Sequence, residues 1–226
     1  MSGAADWGGV RAVLFDLDGT LIDSAPDLGR AANQLRTQRG LEPLPLSCYR
    51  PMAGAGARGM ISIALGIAPD HADFDALKEE FFDNYERCIH EQTEVFEQVA
   101  ELLGALERQA LAWGVVTNKS TRFTSLIAQR LELIGRAATI VSGDTTPHAK
   151  PHPAPLLEAA TRLELSPAEC IYVGDDLRDV QAGRAAGMRT VAALYGYLGQ
   201  DGEATAWGAD GCIESPLGLL KLLHLA

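Results

Sequence analysis

The chain has 226 residues, of which 47% are hydrophobic and 22% are charged. This is an ordinary globular composition, long enough for one large domain or for a core with a smaller second domain. The formal net charge of -11 excludes nucleic acid and anionic membranes as expected partners, because an acidic surface repels both. The same surface repels an anionic substrate, so a site for one requires a local cation.

Cysteines and the N-terminus indicate the compartment. Cys48, Cys88, Cys170 and Cys212 are scattered, with no CxxC pair. This spacing predicts reduced thiols in a cytoplasmic protein, with neither a disulfide framework nor a zinc site. The first residues show no basic segment and no long apolar stretch, so no signal peptide is predicted. No apolar run approaches the roughly 20 residues that cross a bilayer.

Short apolar, β-branched runs alternate with segments of helical periodicity along most of the chain. The first run, residues 10–15, ends at Asp16 and predicts a buried strand. The other predicted strands are residues 112–117, 139–142, 170–174 and 190–194. Because helical patterns fall between them, we predict an α/β fold with a parallel sheet and helices on both faces.

Residues 24–96 break this alternation, because they show helical patterns and no convincing strand. Ser24 is a candidate cap for a helix that Gly40 closes, and further helices are predicted at residues 58–65 and 73–89. The block therefore has the pattern of an all-helical insertion between the first strand and the rest of the sheet.

The insertion defines the predicted domain organisation. We predict a core made of residues 1–22 and 97–226, and a helical second domain made of residues 23–96. The two crossings between them, near Asp23 and at residues 95–98, are the expected hinges.

The strongest chemical signal is the segment FDLDGT at residues 15–20. Asp16 and Asp18 follow a parallel strand and project beyond its carboxyl end, where open α/β sheets bind ligands. Gly19 lets the backbone turn tightly beside a ligand. Two carboxylates this close repel each other unless a cation separates them, and Mg²⁺ with phosphate suits oxygen ligands. The alternative is that both aspartates only cap a turn.

Two further segments offer groups for a phosphate. Thr117 and Asn118 end the second predicted strand, ahead of a helix start at Ser120, and this order predicts a phosphate cradle. By itself, Thr-Asn is also a common helix cap. Lys150 lies in a proline-flanked loop, from which it can present a point charge to a phosphoryl group, although loop lysines are usually solvated.

A second group of acids occurs in the segment GDDLRD at residues 174–179. These acids again stand at the end of a predicted strand and at the start of a helix. Carboxylates clustered there would complete a metal site. The alternative is that Asp175 or Asp176 caps the helix.

In this order, the four segments DxDGT, Thr-Asn, Lys and GDxxxD resemble the phosphatases of the haloacid dehalogenase (HAD) superfamily. The resemblance covers essentially the whole chain. It implies a HAD-like Rossmannoid core with an inserted helical cap domain that determines substrate specificity. It also implies Mg²⁺ as cofactor, a small-molecule phosphate ester as substrate, and a monomer or homodimer.

The resemblance further implies catalytic roles at matching positions. Asp16 is the nucleophile that attacks phosphorus. Asp18 is the general acid that protonates the leaving oxygen and then the base that activates water. Lys150 stabilises the charge on the phosphoryl group and on Asp16, while Thr117 and Asn118 bind that group.

Metal binding is implied in the same way. The metal ligands are the carboxylates of Asp16 and Asp175 and the backbone carbonyl of Asp18. Asp179 supports the water shell of the metal. Asp176 stands where relatives often have serine, so its role is left open.

A glycine-rich segment in the insertion, GAGARG at residues 54–59, literally matches GxGxxG. Pro51 and the polar residues before it exclude the preceding strand that a dinucleotide fold requires. We interpret the segment as a cap loop that aims Arg58 at the substrate, with a solvated arginine as the alternative. Arg50 is a second candidate.

Within the superfamily, the chain most resembles the phosphoglycolate phosphatases, and the related branch of N-acetylmuramic acid 6-phosphate phosphatases is the alternative. The supporting residues are 15–27, 54–59 and 195–197 for the first branch, and 111–119, 174–179 and 207–210 for the second. Because both share fold and chemistry, the core motifs do not distinguish their substrates.

Three other functional classes share part of the pattern. A phosphotransfer mutase of the β-phosphoglucomutase kind has the same core and a similar cap. A signalling receiver also has an aspartyl-phosphate, threonine and lysine, but is about half as long and carries its acid pair before the phosphorylated aspartate. A binding protein with a relic site is the third alternative, which the complete set of acids and lysine disfavours.

Overall fold

The computed structural model describes residues 7–199 and 203–225. Its strands are β1 (Ala12–Phe15), β2 (Ile22–Asp23), β3 (Glu94–Val95), β4 (Ala112–Val116), β5 (Ile140–Val141), β6 (Cys170–Gly174), β7 (Arg189–Ala193) and β8 (Gly211–Ile213). Six of them form one parallel sheet in the order β5-β4-β1-β6-β7-β8. The predicted parallel sheet is therefore confirmed.

Helices connect the strands and cover the sheet. They are α1 (Ala25–Thr37), α2 (Leu46–Tyr49), α3 (Gly56–Leu65), α4 (Phe74–Cys88), α5 (Val99–Arg108), α6 (Thr121–Arg130), α7 (Glu132–Gly135), α8 (Ala154–Arg162), α9 (Leu177–Ala186) and α10 (Gly218–Leu222). Short 3₁₀ segments lie at Arg50–Ala55, Pro167–Glu169 and Ala204–Ala206. Within the described part of the chain, no helix has the length and apolarity needed to cross a membrane.

Helices lie on both faces of the sheet, as predicted. Leu102 and Ile127, from α5 and α6, belong to the larger apolar core with Val13 of β1. Leu156 of α8 packs on the opposite face with Leu14 of β1. Every residue of β1 is buried, because a parallel strand inside such a sheet is covered from both sides.

The register of the central strands brings three chain segments to one edge. Phe15, the last residue of β1, lies beside Val115 of β4 and Val173 of β6. The residues that follow these strands therefore emerge together at the carboxyl edge of the sheet, which is where the sequence predicts the site.

Residues 24–96 contain the three predicted helices as α1, α3 and α4, but also the short α2 and the strand β3, which were not predicted. β2 and β3 form a two-stranded antiparallel ribbon in which Ile22 lies beside Val95 and Asp23 beside Glu94. A strand of two residues is too short to show alternation, so its pattern gives no signal. The ribbon occupies the two crossings between core and insertion.

Helix α4 of the insertion packs against helix α6 of the core. Phe123 of α6 contacts Phe82 and Tyr85 of α4, with ring centroids 5.2 Å and 5.1 Å away. Arg122, next to it, pairs with Asp83 at 2.9 Å on the exposed side of the same contact. This packing places α4 above the carboxyl edge of the sheet.

Candidate active site

The turn after β1 brings the first acidic segment close to the second. Gly19 has a φ of +86°. A Cβ added at Gly19 would lie 2.1 Å from Oδ2 of Asp175, so a side chain has no room there. The sequence predicts a tight turn at Gly19, and the structure shows that the turn accommodates the carboxylate of Asp175, the residue after β6.

Three carboxylates meet at this edge. Asp16, Asp175 and Asp179 each offer an oxygen, and these oxygens lie within 4.8 Å of one another. The side chain of Asp16 is 13% exposed and that of Asp179 only 2% exposed. Like charges this close and this buried require a bound proton or a compensating cation, and the donor set is the hard oxygen set that Mg²⁺ prefers.

Lys150 supplies one cation to this cluster. Its Nζ lies 2.9 Å from Oδ1 of Asp16 and donates to Oδ1 of Asp179 and to the Tyr172 hydroxyl, both at 2.7 Å. Burial lowers the pKa of Lys150, but the charges of Asp16 and Asp179 outweigh it and the net pKa is raised. The ammonium group therefore stays protonated beside the carboxylate predicted to be the nucleophile.

The side chain of Asn118 holds the Lys150 loop in place. Its Nδ2 donates to the Lys150 carbonyl at 2.9 Å, and its Oδ1 accepts from the Lys150 backbone N–H, also at 2.9 Å. Thr117 is buried at the end of β4, where its Oγ1 accepts from the Lys119 backbone N–H at 3.2 Å. Sequence patterns gave no signal for the Asn118–Lys150 pairing, because the residues are far apart in the chain.

Asp175 is held by two donors. Its Oδ1 accepts from the Thr20 hydroxyl and its Oδ2 from the Tyr197 backbone N–H, both at 2.8 Å. Burial, reinforced by the charges of Asp16 and Asp179, raises the pKa of Asp175 well above its ordinary value. A carboxyl group in this position ionises readily only when a cation joins the cluster.

Asp179 lies in the first turn of α9. Its Oδ2 accepts from the Asp176 backbone N–H at 3.1 Å. Burial raises the pKa of Asp179 to about 7, with Asp16 and Asp176 adding to the effect and Lys150 opposing it. Asp179 is thus a buried acid at the edge of the cluster. Both of its carboxylate oxygens already accept hydrogen bonds from the protein.

Asp176 adopts the helix-cap role that the sequence left as an alternative. Its Oδ1 accepts from the Arg178 backbone N–H at 2.9 Å, which caps α9. The same carboxylate binds the Arg178 guanidinium at two points, Nε and NH2, both at 2.7 Å. This pairing lowers the pKa of Asp176, although burial alone would raise it.

Arg178 links the core to the glycine-rich segment of the insertion. Its NH2 group donates to the Gly54 carbonyl at 2.8 Å. The sequence did not single out Arg178, since an arginine at the start of a surface helix is usually solvated. Its place between two acids in GDDLRD is the only signal that the sequence offers.

Both oxygens of Asp18 have a partner. Oδ1 accepts a hydrogen bond from the Ser24 hydroxyl, and Oδ2 lies 3.1 Å from Nζ of Lys119. Ser24 precedes α1 as predicted, but its side chain does not cap that helix and binds Asp18 instead. The predicted acid/base is therefore fixed from two sides.

A cavity of about 250 Å³ lies between these groups and the insertion. The predicted site residues Asp16, Asp18, Thr117, Asn118, Lys150, Asp175 and Asp179 all line it. Its opposite wall is apolar and includes Phe81, Phe82 and Tyr85 of α4 and Phe123 of α6. The cavity therefore has a charged floor and an aromatic roof.

The two arginines of the insertion that the sequence offers as substrate ligands, Arg58 and Arg50, do not line the cavity. Arg58 is exposed on α3 and does not line the cavity, so the structure does not bring it to the other predicted site residues. Arg50 binds both oxygens of Asp23, at 3.0 Å and 2.9 Å, and its guanidinium lies 5.9 Å from the centroid of the Tyr197 ring. Two of the three glycines in the segment 54–59, Gly54 and Gly56, do line the cavity.

The family model described as "Haloacid dehalogenase-like hydrolase" matches residues 13–193 of the chain. The chain therefore belongs to the haloacid dehalogenase-like hydrolases, as its motifs indicated, and it is a phosphatase of that family.

Relatives match over nearly their whole length. The chain is 42% identical to an N-acetylmuramic acid 6-phosphate phosphatase of Pseudomonas putida over 217 residues, covering 96% of this chain and 97% of the relative. It is 44% identical to a phosphoglycolate phosphatase of Xanthomonas campestris over 206 residues, covering 91% and 93%. A crystal structure described as a predicted phosphoglycolate phosphatase of Haemophilus somnus superposes with a TM-score of 0.83 at 26% identity, covering 95% and 98%.

Proposed function

We propose that this chain hydrolyses a phosphate monoester by transferring the phosphoryl group to Asp16 and then to water, with Mg²⁺ as cofactor. The observation that carries the proposal is the cluster of Asp16, Asp175 and Asp179 within 4.8 Å, with the Lys150 ammonium against two of them. Phosphoryl transfer depends mainly on positioning and charge neutralisation, which these groups supply.

The residues of the cluster fit a hard divalent ion. Asp16 and Asp175 would hold it together with the Asp18 carbonyl, while Asp179 supports its water shell. Oδ1 of Asp16 is buried and accepts no hydrogen bond from the described residues, even though Lys150 lies close to it. When bound, Mg²⁺ neutralises the negative charge that develops on the phosphoryl oxygens.

Each remaining residue has a defined task in the proposed reaction. Asp16 attacks phosphorus while Asp18 gives its proton to the leaving oxygen. Asp18 then takes a proton from the water that cleaves the aspartyl-phosphate. Thr117 and Asn118 bind the phosphoryl group, and the Asn118 side chain also holds Lys150 beside it.

Metal binding should be visible as a pH-dependent gain in stability. Without a divalent ion, the raised pKa values of Asp175 and Asp179 mean that the folded protein keeps protons that the unfolded chain has lost. Stability should therefore fall as pH rises from about 4 toward 7. Adding Mg²⁺ should raise Tm more at about pH 7.5 than at about pH 5.5, because binding must displace those protons.

The matched variant for this measurement is Asp175→Asn. Asparagine can keep its oxygen on the Tyr197 N–H and donate to the Thr20 hydroxyl, so the fold is retained. Because asparagine needs no proton to be buried there, the metal-free Tm should rise by about 2–4 °C at neutral pH, and the Mg²⁺ effect should be abolished. An unchanged Mg²⁺ effect in Asp175→Asn, measured by differential scanning fluorimetry, would remove Asp175 from the metal site.

We further propose that residues 23–96 act as a cap that moves about the ribbon of β2 and β3. The proposal is supported by the position of the ribbon at both crossings and by the contact of α4 with the core above the cavity. Water must be excluded for attack by Asp16 and admitted for hydrolysis. Crystal structures with and without a bound phosphate analogue should differ by a rotation of this segment, and identical positions would contradict it.

We propose a sugar phosphate as the preferred substrate, which reverses the order that the sequence resemblance gave to the two branches. Every cation among its described lining residues already has a carboxylate partner: Lys119 with Asp18, Lys150 with Asp16 and Asp179, and Arg178 with Asp176. A two-carbon substrate would bring its own carboxylate close to these groups without a free cation. A pyranose can place its apolar face on the aromatic wall, and in N-acetylmuramic acid 6-phosphate the ring separates the carboxylate from the phosphate.

A phosphate-release screen tests this choice directly. We expect kcat/KM for N-acetylmuramic acid 6-phosphate to exceed that for 2-phosphoglycolate by about 100-fold, which corresponds to about 2.7 kcal/mol of differential transition-state binding. Phe82→Ala should lower kcat/KM for the sugar ester by about 10-fold or more and leave phosphoglycolate nearly unchanged, since only the larger substrate reaches the wall.

Other outcomes of the screen have defined meanings. Preference for 2-phosphoglycolate would contradict the choice of a sugar phosphate and would indicate that this chain acts on phosphoglycolate, as the name of the Xanthomonas relative implies for that protein. Absence of net phosphate release unless a sugar bisphosphate is added would indicate a mutase and contradict the proposed hydrolysis.

A further inference from the structure

Lys119 is a buried cation of the cavity to which the mechanism above gives no task. It follows Asn118 in the loop between β4 and α6, and its side chain is only 7% exposed. Its Nζ lies 3.1 Å from Oδ2 of Asp18 and donates to the Tyr85 hydroxyl at 3.1 Å. The same nitrogen lies 4.7 Å from the centroid of the Tyr85 ring. An ammonium group held by a carboxylate, a hydroxyl and an aromatic face, with little exposure, has a defined position.

The contact fixes Asp18 as well. With Ser24 donating to Oδ1 and Lys119 against Oδ2, the carboxylate cannot rotate without losing a partner. General acid catalysis requires the acid within hydrogen-bond reach of the leaving oxygen, and a displacement of about 1 Å can cost about 10²-fold in rate. The orientation of Asp18 is thus a property on which turnover should depend.

Tyr85 connects this pair to the insertion. It belongs to α4, where its ring stacks on Phe81 with centroids 6.2 Å apart and meets the edge of Phe123 of α6 at 5.1 Å. Its side chain is buried, so its hydroxyl position follows that of α4 as a whole. The contacts from Asp18 to Lys119 and from Lys119 to Tyr85 therefore connect the carboxyl edge of the sheet to the aromatic wall of the cavity.

We propose that Lys119 is a positioning residue that sets the orientation of Asp18 when α4 lies against the core. The inference rests on the proposed function, in which Asp18 is the general acid and base. Lys119 acts through Asp18 and does not contact the transferring phosphoryl group. The packing of α4 against the core and the orientation of Asp18 are thereby coupled through the ammonium group of Lys119.

Three variants test the proposal by steady-state kinetics on a phosphate ester with a poor, alkyl leaving group. Lys119→Met should lower kcat by roughly 10- to 100-fold with little change in KM. Lys119→Arg should restore most of the loss, because it returns a cation to the same place. Tyr85→Phe, which keeps the ring and removes the hydroxyl, should lower kcat by about 3- to 10-fold. Lys78→Met is the matched control, since Lys78 pairs with Asp75 on the outer surface of α4 and should leave kcat unchanged.

A double-mutant cycle separates this inference from the proposed function. In the Asp18→Asn background, adding Lys119→Met should cause no further loss, because the residue it positions is already inactive. A fully additive loss would overturn the proposal, and so would a rise in KM at constant kcat, which would make Lys119 a substrate ligand. A lower Tm with normal kcat would show a purely structural role and overturn it too. If Asp18→Asn itself has wild-type activity, the proposed function fails instead.

Discussion

Replacing Asp16 with asparagine is expected to lower phosphate release by at least about 10⁴-fold, because an amide oxygen is not a competent nucleophile toward phosphorus. Asparagine has nearly the same shape, and Lys150 retains its bonds to Asp179 and Tyr172, so the fold should persist. The loss should appear as a fall in kcat for every substrate, measured with an excess of Mg²⁺.

The matched control for Asp16→Asn is Asp75→Asn. Asp75 is an exposed acid on α4 that pairs with Lys78 outside the cavity, so its loss should leave activity unchanged. Activity of Asp16→Asn within about 10-fold of wild type would remove Asp16 from the nucleophilic role.

Asp18→Asn is expected to trap the intermediate that Asp16→Asn prevents. With p-nitrophenyl phosphate the leaving group needs little protonation, so transfer to Asp16 should continue while hydrolysis slows by about 10²–10⁴-fold. Intact-protein mass spectrometry should then show enzyme that carries one phosphoryl group. An alkyl phosphate should give far less of this species, since its departure also needs the acid.

The contrast between the two leaving groups makes this prediction specific to Asp18. If Asp18 only bound metal, both substrates would slow equally and no phospho-enzyme would accumulate from either. Rapid turnover of p-nitrophenyl phosphate by Asp18→Asn would likewise contradict the assignment of Asp18 as the base that activates water.

Much of the fold was predictable because its strands are short, buried and separated by clear helical periodicity. The five predicted strands all form, although residues 139–142 contract to Ile140–Val141 at the edge of the sheet. β8 (Gly211–Ile213) and the ribbon of β2 and β3 were not predicted. Segments of two or three residues have no periodicity to detect, and their pairing is set by neighbouring strands.

The charged floor of the site was predictable for a geometric reason. Asp16, Thr117 and Asp175 follow parallel strands in register, so their side chains must emerge at one edge. Lys150 joins them through a loop whose position depends on Asn118, a contact with no sequence signature.

The residues of the insertion were much less predictable. Arg58 was expected at the substrate, yet it is exposed on α3 outside the cavity lining, whereas Arg178 of the core reaches Gly54. Lys119 likewise gained its significance only from the position of Tyr85 on α4. Such contacts depend on how the helices of the insertion pack against the core. A local sequence pattern does not determine that packing.

The most direct test of the central claim is to map the phosphoryl group by peptide mass spectrometry on rapidly quenched Asp18→Asn enzyme. Acids from distant parts of the chain are proposed to surround one cation so that Asp16 alone attacks phosphorus. The expected result is a single phosphorylated peptide, the one containing Asp16, formed only with Mg²⁺ present. Phosphate on the peptide containing Asp175 and Asp179, or equal labelling after Mg²⁺ is removed, would contradict the proposed mechanism.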